Sequence, residues 1–240
     1  MLNEYVAVDL EMTGLHARRD RILEIGAVKV RQGRITDEFQ RLVNPHRKLT
    51  QEIISLTGIT DEMAQAGCGS ELAVQEFLIF AEDCPLAGHN IMFDYSFLKQ
   101  CTVNQGIPLE KEGIDTLKLA RNFLPEAEKK TLDYLCEFLH ISRNRNHRAL
   151  EDARAAAELL EYFKDRFGEQ NPEAFTPRRL QYKAKKQQPA TKQQKKRLQE
   201  LMEYHKIELD REVESLNRSE ASRITDKIYA RYGRLPPHCL

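Results

Sequence analysis

The 240-residue sequence contains no tryptophan, only 11 glycines and 9 prolines, and no apolar run approaching membrane-spanning length. This excludes a fibrous or low-complexity chain and leaves the composition of a globular protein, 41% hydrophobic and 31% charged. The first twelve residues hold Glu4, Asp9 and Glu11 and lack the basic start and apolar core of a signal peptide. The five cysteines form no C-x-x-C pair and are odd in number, which argues against both a disulfide framework and a zinc ribbon. A reducing, cytoplasmic setting is expected, with no membrane partner. Formal net charge is also absent, but the balance conceals segments of −8 through position 177, +9 over 178–197 and −1 from 198 onward. An acidic body beside a basic segment suits a protein whose body binds metal ions and whose segment binds a polyanion.

Three strands are predicted to open the chain: Tyr5–Leu10, Ile22–Val30 and Ile35–Val43. The last two are separated by a short Gly-containing loop that suggests a hairpin. Helices follow over 49–56 and 70–81, the second with Leu72, Phe77, Phe80 and Ala81 turned to the core. A short strand at 85–88 leads to Asn90 as helix cap, and another extended segment lies near 114–116. The clearest helix runs over 148–167, where Ala149, Ala153, Ala156, Leu160, Phe163 and Phe167 recur at three- and four-residue intervals. This order predicts an α/β domain with a mixed sheet over 1–174. A basic linker over 175–190 and a small helical module over 191–240 complete the organisation. The module is marked by the capping box Thr191–Gln194 and a helix from Ser219 ended by Gly233 and Pro236.

Asp9 and Glu11 lie two apart on an apolar strand, so their carboxylates leave one face roughly 7 Å apart along the backbone. The Thr13-Gly14 turn puts them at the strand's carboxyl end, where open α/β sheets place ligands. Asp94 falls where a strand end passes into a helix start, with the helix dipole behind it. His147 precedes Asp152 by five residues, about 140° apart on a helix, so it is placed in the 143–146 loop or the first turn, swinging over a site that Asp152 reaches from the helix. Four carboxylates with no Cys and no second His make a hard oxygen site for Mg²⁺ or Mn²⁺. Two such ions about 4 Å apart can drive phosphodiester hydrolysis, with histidine taking the proton of the attacking water.

D-L-E-M-T-G-L at 9–15, H-N-I-M-F-D at 89–94 and H-R-A-L-E-D at 147–152 resemble the three exonuclease motifs of the DEDD superfamily in its histidine (DEDDh, DnaQ-like) branch. R-I-L-E-I-G-A-V at 21–28 matches too, and the resemblance covers about residues 3–168. The tyrosine branch would place Tyr at 148, where this chain has Arg148. The resemblance implies a ribonuclease H-like mixed sheet flanked by helices and a 3′-5′ exonuclease similar to the epsilon proofreading subunit of bacterial DNA polymerase III. It further implies that Asp9, Glu11 and Asp152 hold one divalent ion and that Asp9 bridges to a second. Asp94 would complete the second ion's shell, with His147 as general base and Thr13, Gly14 and Leu15 contacting the terminal nucleotide. The substrate would be a single-stranded or frayed 3′ end, of DNA in the first reading and RNA in the second. A polymerase or other protein would dock on the C-terminal module, and a binding-only accessory subunit is the reading from another class.

Overall fold

The structure, a computed structural model, describes residues 2–142 and 147–235. The chain divides into two compact units: Met1–Pro45 with Leu49–Ala184, and His46–Lys48 with Lys185–Leu240. No helix among the described residues is long and apolar enough to cross a membrane.

The first unit is built on a six-stranded sheet in the order β3-β2-β1-β4-β5-β6. Strands β1 (Glu4–Met12), β2 (Ile22–Arg31) and β3 (Arg34–Leu42) form an antiparallel meander. Gln32 and Gly33 close its second hairpin with positive φ at both positions, 51° and 75°, the backbone twist that a two-residue turn between strands requires. Strands β4 (Leu86–Gly88) and β5 (Glu112–Asp115) then run parallel to β1, and β6 (Arg178–Arg179) is antiparallel to β5. The mixed, helix-flanked sheet expected from the element order is thus present, of ribonuclease H-like architecture. The central strands are buried on both faces, which explains their near-continuous apolar runs.

Two cores result, one on each side of the sheet. Val6, Val8, Ile25 and Phe39 pack with α3 (Ser70–Ala81) and α4 (Ile91–Gln105). Tyr5, Ala7, Val28 and Val30 pack with α5 (Thr116–Phe123), α6 (Leu132–Phe138) and α7 (Ala149–Phe167). Of the stripe predicted on α7, Ala149, Ala153, Ala156, Leu160 and Phe163 are buried and Phe167 is partly buried. On α3 the expectation for Leu72 fails: it is 51% exposed, and the buried stripe is Ala73, Val74, Phe77 and Ala81, one step round the helix. Two short helices, α1 (Gln51–Thr57) and α2 (Asp61–Gln65), are capped by Thr50 and Thr60, and Gly58 ends α1 in the left-handed conformation.

The second unit carries α8 (Lys192–His205) and α9 (Arg218–Tyr232) around Leu198, Leu201, Leu216, Ala221 and Ile228. Thr191 and Gln194 form the expected capping box, and a second box, Asn217 with Glu220, starts α9 at Arg218, one residue ahead of the predicted Ser219. Pro236, expected after α9, lies outside the described residues, as does the 143–146 loop. Arg178 and Arg179 of the basic segment belong to the sheet of the first unit, while the boundary between the units falls after Ala184.

Candidate active site

The site is assembled at the carboxyl ends of β1 and β4, where the alternation of each strand and the start of each following helix decide what points inward. Asp9 and Glu11 leave the same face of β1; Glu11 is buried and Asp9 half-buried. After β4, Asn90 adopts φ 68°, ψ 44° and turns the chain sharply into α4. Its side chain makes no cap bond; instead Asp115 Oδ1 accepts from the Asn90 N–H at 3.0 Å and from the Leu117 N–H at 3.0 Å, tying the starts of α4 and α5 together. Asp94, in the first turn of α4, is buried and accepts a hydrogen bond from the Leu10 N–H at 3.1 Å. That bond joins the second motif to the backbone between the two acids of the first.

His147 sits just ahead of α7 with φ 57°, a left-handed residue that breaks the helix line and lets the imidazole swing back over Asp152. Glu11, His147 and Asp152 offer ligand atoms that all lie within 4.8 Å of one another, a group that could hold a metal ion. The five-residue spacing that keeps His147 and Asp152 off one helical face is therefore resolved by the backbone turn at 147. Asp9, His147 and Asp152 also line a cleft of about 590 Å³ with His89, Asn90, Leu117, Arg121, Lys130, Thr131, Leu132 and Asp133. Asp133 Oδ2 lies 3.8 Å from His147 Nε2. Thr13 Oγ1 accepts from the Arg21 N–H at 2.9 Å and fixes the turn after β1, while Leu15 stands 75% exposed. Gly14 packs so close to Asp20 that a Cβ would come within 2.6 Å of its carboxylate.

Three residues that the motif reading did not single out hold α7 in place. Glu24 of β2, directly across from Glu11, is fully buried. Its carboxylate accepts from Arg148 Nη2 at 2.6 Å, Arg148 Nε at 3.0 Å, the Ala149 N–H at 3.1 Å and Gln40 Nε2 at 2.8 Å. It thereby supplies the cap that the first turn of α7 lacks from Arg148. Gly26, opposite Asp9, lets α7 approach β2, since a Cβ there would meet Leu150 N at 2.0 Å. A single acid inside the apolar run I-L-E-I-G-A-V was the signal available in the sequence.

The electrostatics fit a bound cation. Burial, then repulsion from Glu24 and Asp94, pushes Glu11 up to about 7 against the opposing pull of Arg148. Burial, and Asp115 beyond it, pushes Asp94 up to about 7 despite the Leu10 hydrogen bond. Crowded carboxylates that hold their protons this tightly are the donor set that a hard divalent ion relieves.

Comparison with known proteins places the chain in a family. The RNase T exonuclease family model matches residues 6–160. The chain belongs to the exonuclease family. The PolC-type DNA polymerase III of Caldanaerobacter subterraneus subsp. tengcongensis is 39% identical over 157 residues, 65% of this chain and 11% of that protein. The PolC-type polymerase of Bacillus subtilis is 41% identical over 159 residues, again 65% and 11%. The chain thus spans about a tenth of the length of these relatives. Exonuclease X in complex with 5′ overhanging duplex DNA superposes with TM-score 0.55 at 24% identity, over 68% of this chain and 93% of that one. E. coli exonuclease I in complex with a dT13 oligonucleotide gives TM-score 0.63 at 16% identity, over 72% and 44%. Residues 6–160 thus form an exonuclease domain.

Proposed function

We propose that this protein is a divalent-metal-dependent 3′-5′ exonuclease that releases nucleoside monophosphates from DNA 3′ ends, in proofreading or repair. The observation that carries the reading is the convergence of Glu11, His147 and Asp152 within 4.8 Å, beside a cleft that His147 and Asp152 line together with Asp9. Asp9, Glu11 and Asp152 would hold one Mg²⁺ or Mn²⁺, and Asp9 with Asp94 would serve a second. A divalent ion held there would supply acidification of the attacking water and neutralisation of charge on the scissile phosphate and the leaving 3′ oxygen.

The chain's own residues do the rest. His147 takes the proton from the attacking water, and Asp133, 3.8 Å from Nε2, stabilises the imidazolium that forms. Glu24 and Arg148 hold His147 and Asp152 in register with β1 through the start of α7. Thr13, Gly14 and Leu15 meet the terminal nucleotide at the turn after β1, with the exposed Leu15 side chain against its base. Relatives named as polymerases suggest that the second unit docks a polymerase or another protein, and we place the reaction in the cytoplasm. Residues 1–174 carry catalysis in this reading, 175–190 a basic link and 191–240 the docking module.

The test is digestion of matched 5′-labelled DNA and RNA oligonucleotides, single-stranded and recessed, with Mg²⁺ or Mn²⁺. DNA should shorten one nucleotide at a time from its 3′ end, and only when metal is present. Internal cuts, metal-independent cutting or faster digestion of RNA would overturn the corresponding part of the proposal.

A further inference from the structure

The cleft that holds the acids has a basic rim with no part in the chemistry above. Arg121, in the last turn of α5, is exposed and has no ion pair among the described residues. Lys130, half-buried in the segment before α6, donates from Nζ to the Ala127 carbonyl and meets no carboxylate among the described residues. The Lys130 carbonyl accepts from His89 Nε2 at 2.7 Å, and His89 Nδ1 lies 3.0 Å from Thr116 Oγ1, so the loop carrying Lys130 is fastened to the second motif. The carboxylates Asp9 and Asp152 enter the cleft from β1 and α7, the two cations from α5 and the α6 approach. Asp152 is 6% exposed at the floor, whereas Arg121 is exposed at the mouth. Leu117 and Leu132 supply an apolar lining on the cationic side.

A strand reaching the floor with its scissile phosphate carries further charge past that mouth. An arginine fork and a lysine are the side chains suited to receive it. Resting on the exonuclease reading of the site, we propose that Arg121 and Lys130 bind the phosphodiester on the 5′ side of the one that is cut. They position the entering strand and contribute affinity without acting on the reacting bond.

The experiment uses the full chain and a 5′-labelled single-stranded DNA oligonucleotide. It compares wild type, the double variant Arg121→Gln/Lys130→Gln and the charge-keeping pair Arg121→Lys/Lys130→Arg. Dissociation constants come from the same set in an Asp9→Ala background across a salt series. The glutamine pair should raise KM and Kd about tenfold, leave kcat within about twofold and flatten the log–log salt slope by about 0.7, the contribution of one lost phosphate contact. The charge-keeping pair should restore most of the affinity. A single neutral methylphosphonate at the second linkage from the 3′ end should abolish the difference between wild type and the glutamine pair; at the fourth linkage it should not. Unchanged Kd and slope would overturn the proposal, as would a fall in kcat at constant Kd, which would move these residues to the scissile phosphate. Equal losses in both pairs would reduce them to a structural role and overturn it too. Wild-type protein that digests nothing would instead refute the exonuclease reading, while the binding measurement would still report on Arg121 and Lys130.

Discussion

Replacing Gly26 by alanine places one methyl group where the structure has no room for it. The new Cβ would lie 2.0 Å from Leu150 N, 2.1 Å from the Ala149 carbonyl carbon and 2.4 Å from its oxygen, all backbone atoms of the first turn of α7. No rotamer relieves a backbone clash, so that turn must retreat from β2 by about 1 Å or more to recover ordinary contact. What rides on it is Asp152, with His147 just ahead, while Asp9 and Glu11 stay on β1. A displacement of about 1 Å at reacting groups costs on the order of 10² in rate. The strain itself, on the scale of an overpacked core, costs roughly 1–3 kcal/mol, or roughly 2 to 12 °C in Tm. Single-turnover digestion of a saturating DNA oligonucleotide reads the first effect and thermal unfolding the second. Gly69→Ala is the control, because its Cβ would meet only Glu71 Oε2 at an ordinary 3.5 Å. A Gly26→Ala protein with wild-type turnover would refute the claim that this close approach sets the catalytic geometry.

Three further outcomes are expected. His147→Ala should lower kcat by about 10² to 10⁴ with a smaller change in binding, measured by steady-state kinetics; an unchanged rate removes it as general base. Glu24→Gln should break the ion pair with Arg148 and destabilise the protein by about 1–3 kcal/mol in urea titration, since the buried carboxylate that accepts from Arg148 and Ala149 loses its charge. Stability of the metal-free protein should fall as pH rises. Unfolded Glu11 ionises near its ordinary value, about 4.3, but the folded group holds its proton to about 7, so ionisation across that window favours the unfolded chain. The loss is about 4 kcal/mol at most. Glu11→Gln should remove part of it, and a metal-free Tm that is flat or rising from pH 5 to 7.5 would contradict the cause given.

The five candidate residues were legible in the sequence because each motif is local: a carboxylate pair on one strand, an acid in a helix's first turn, a histidine and an acid around a helix start. Glu24, Arg148 and Gly26 were not, since their work is done across strands and depends on the pairing Glu11 with Glu24 and Asp9 with Gly26. Register is a tertiary property that periodicity alone does not reveal. Leu72 misled because a helical stripe can be drawn through neighbouring apolar positions, and packing against the sheet chose Ala73, Val74 and Phe77. Arg178 and Arg179 read as linker because they open a basic, Gln-rich stretch poor in large apolar groups; their side chains stay exposed and the backbone alone joins the sheet edge. The start of α9 was placed late because Asn217, its true cap, precedes a polar stretch in which Ser219 is an equally good cap type.

The central claim is that the converging carboxylates hold the catalytic ions. It is tested most directly by following a 5′-labelled single-stranded DNA with Mg²⁺ or Mn²⁺, comparing wild type with Asp9→Ala and Asp152→Ala proteins of unchanged circular dichroism. The account predicts a metal-dependent ladder shortening from the 3′ end for wild type and less than about a tenth of that rate for either variant. More than about a tenth of wild-type activity in both variants would contradict it.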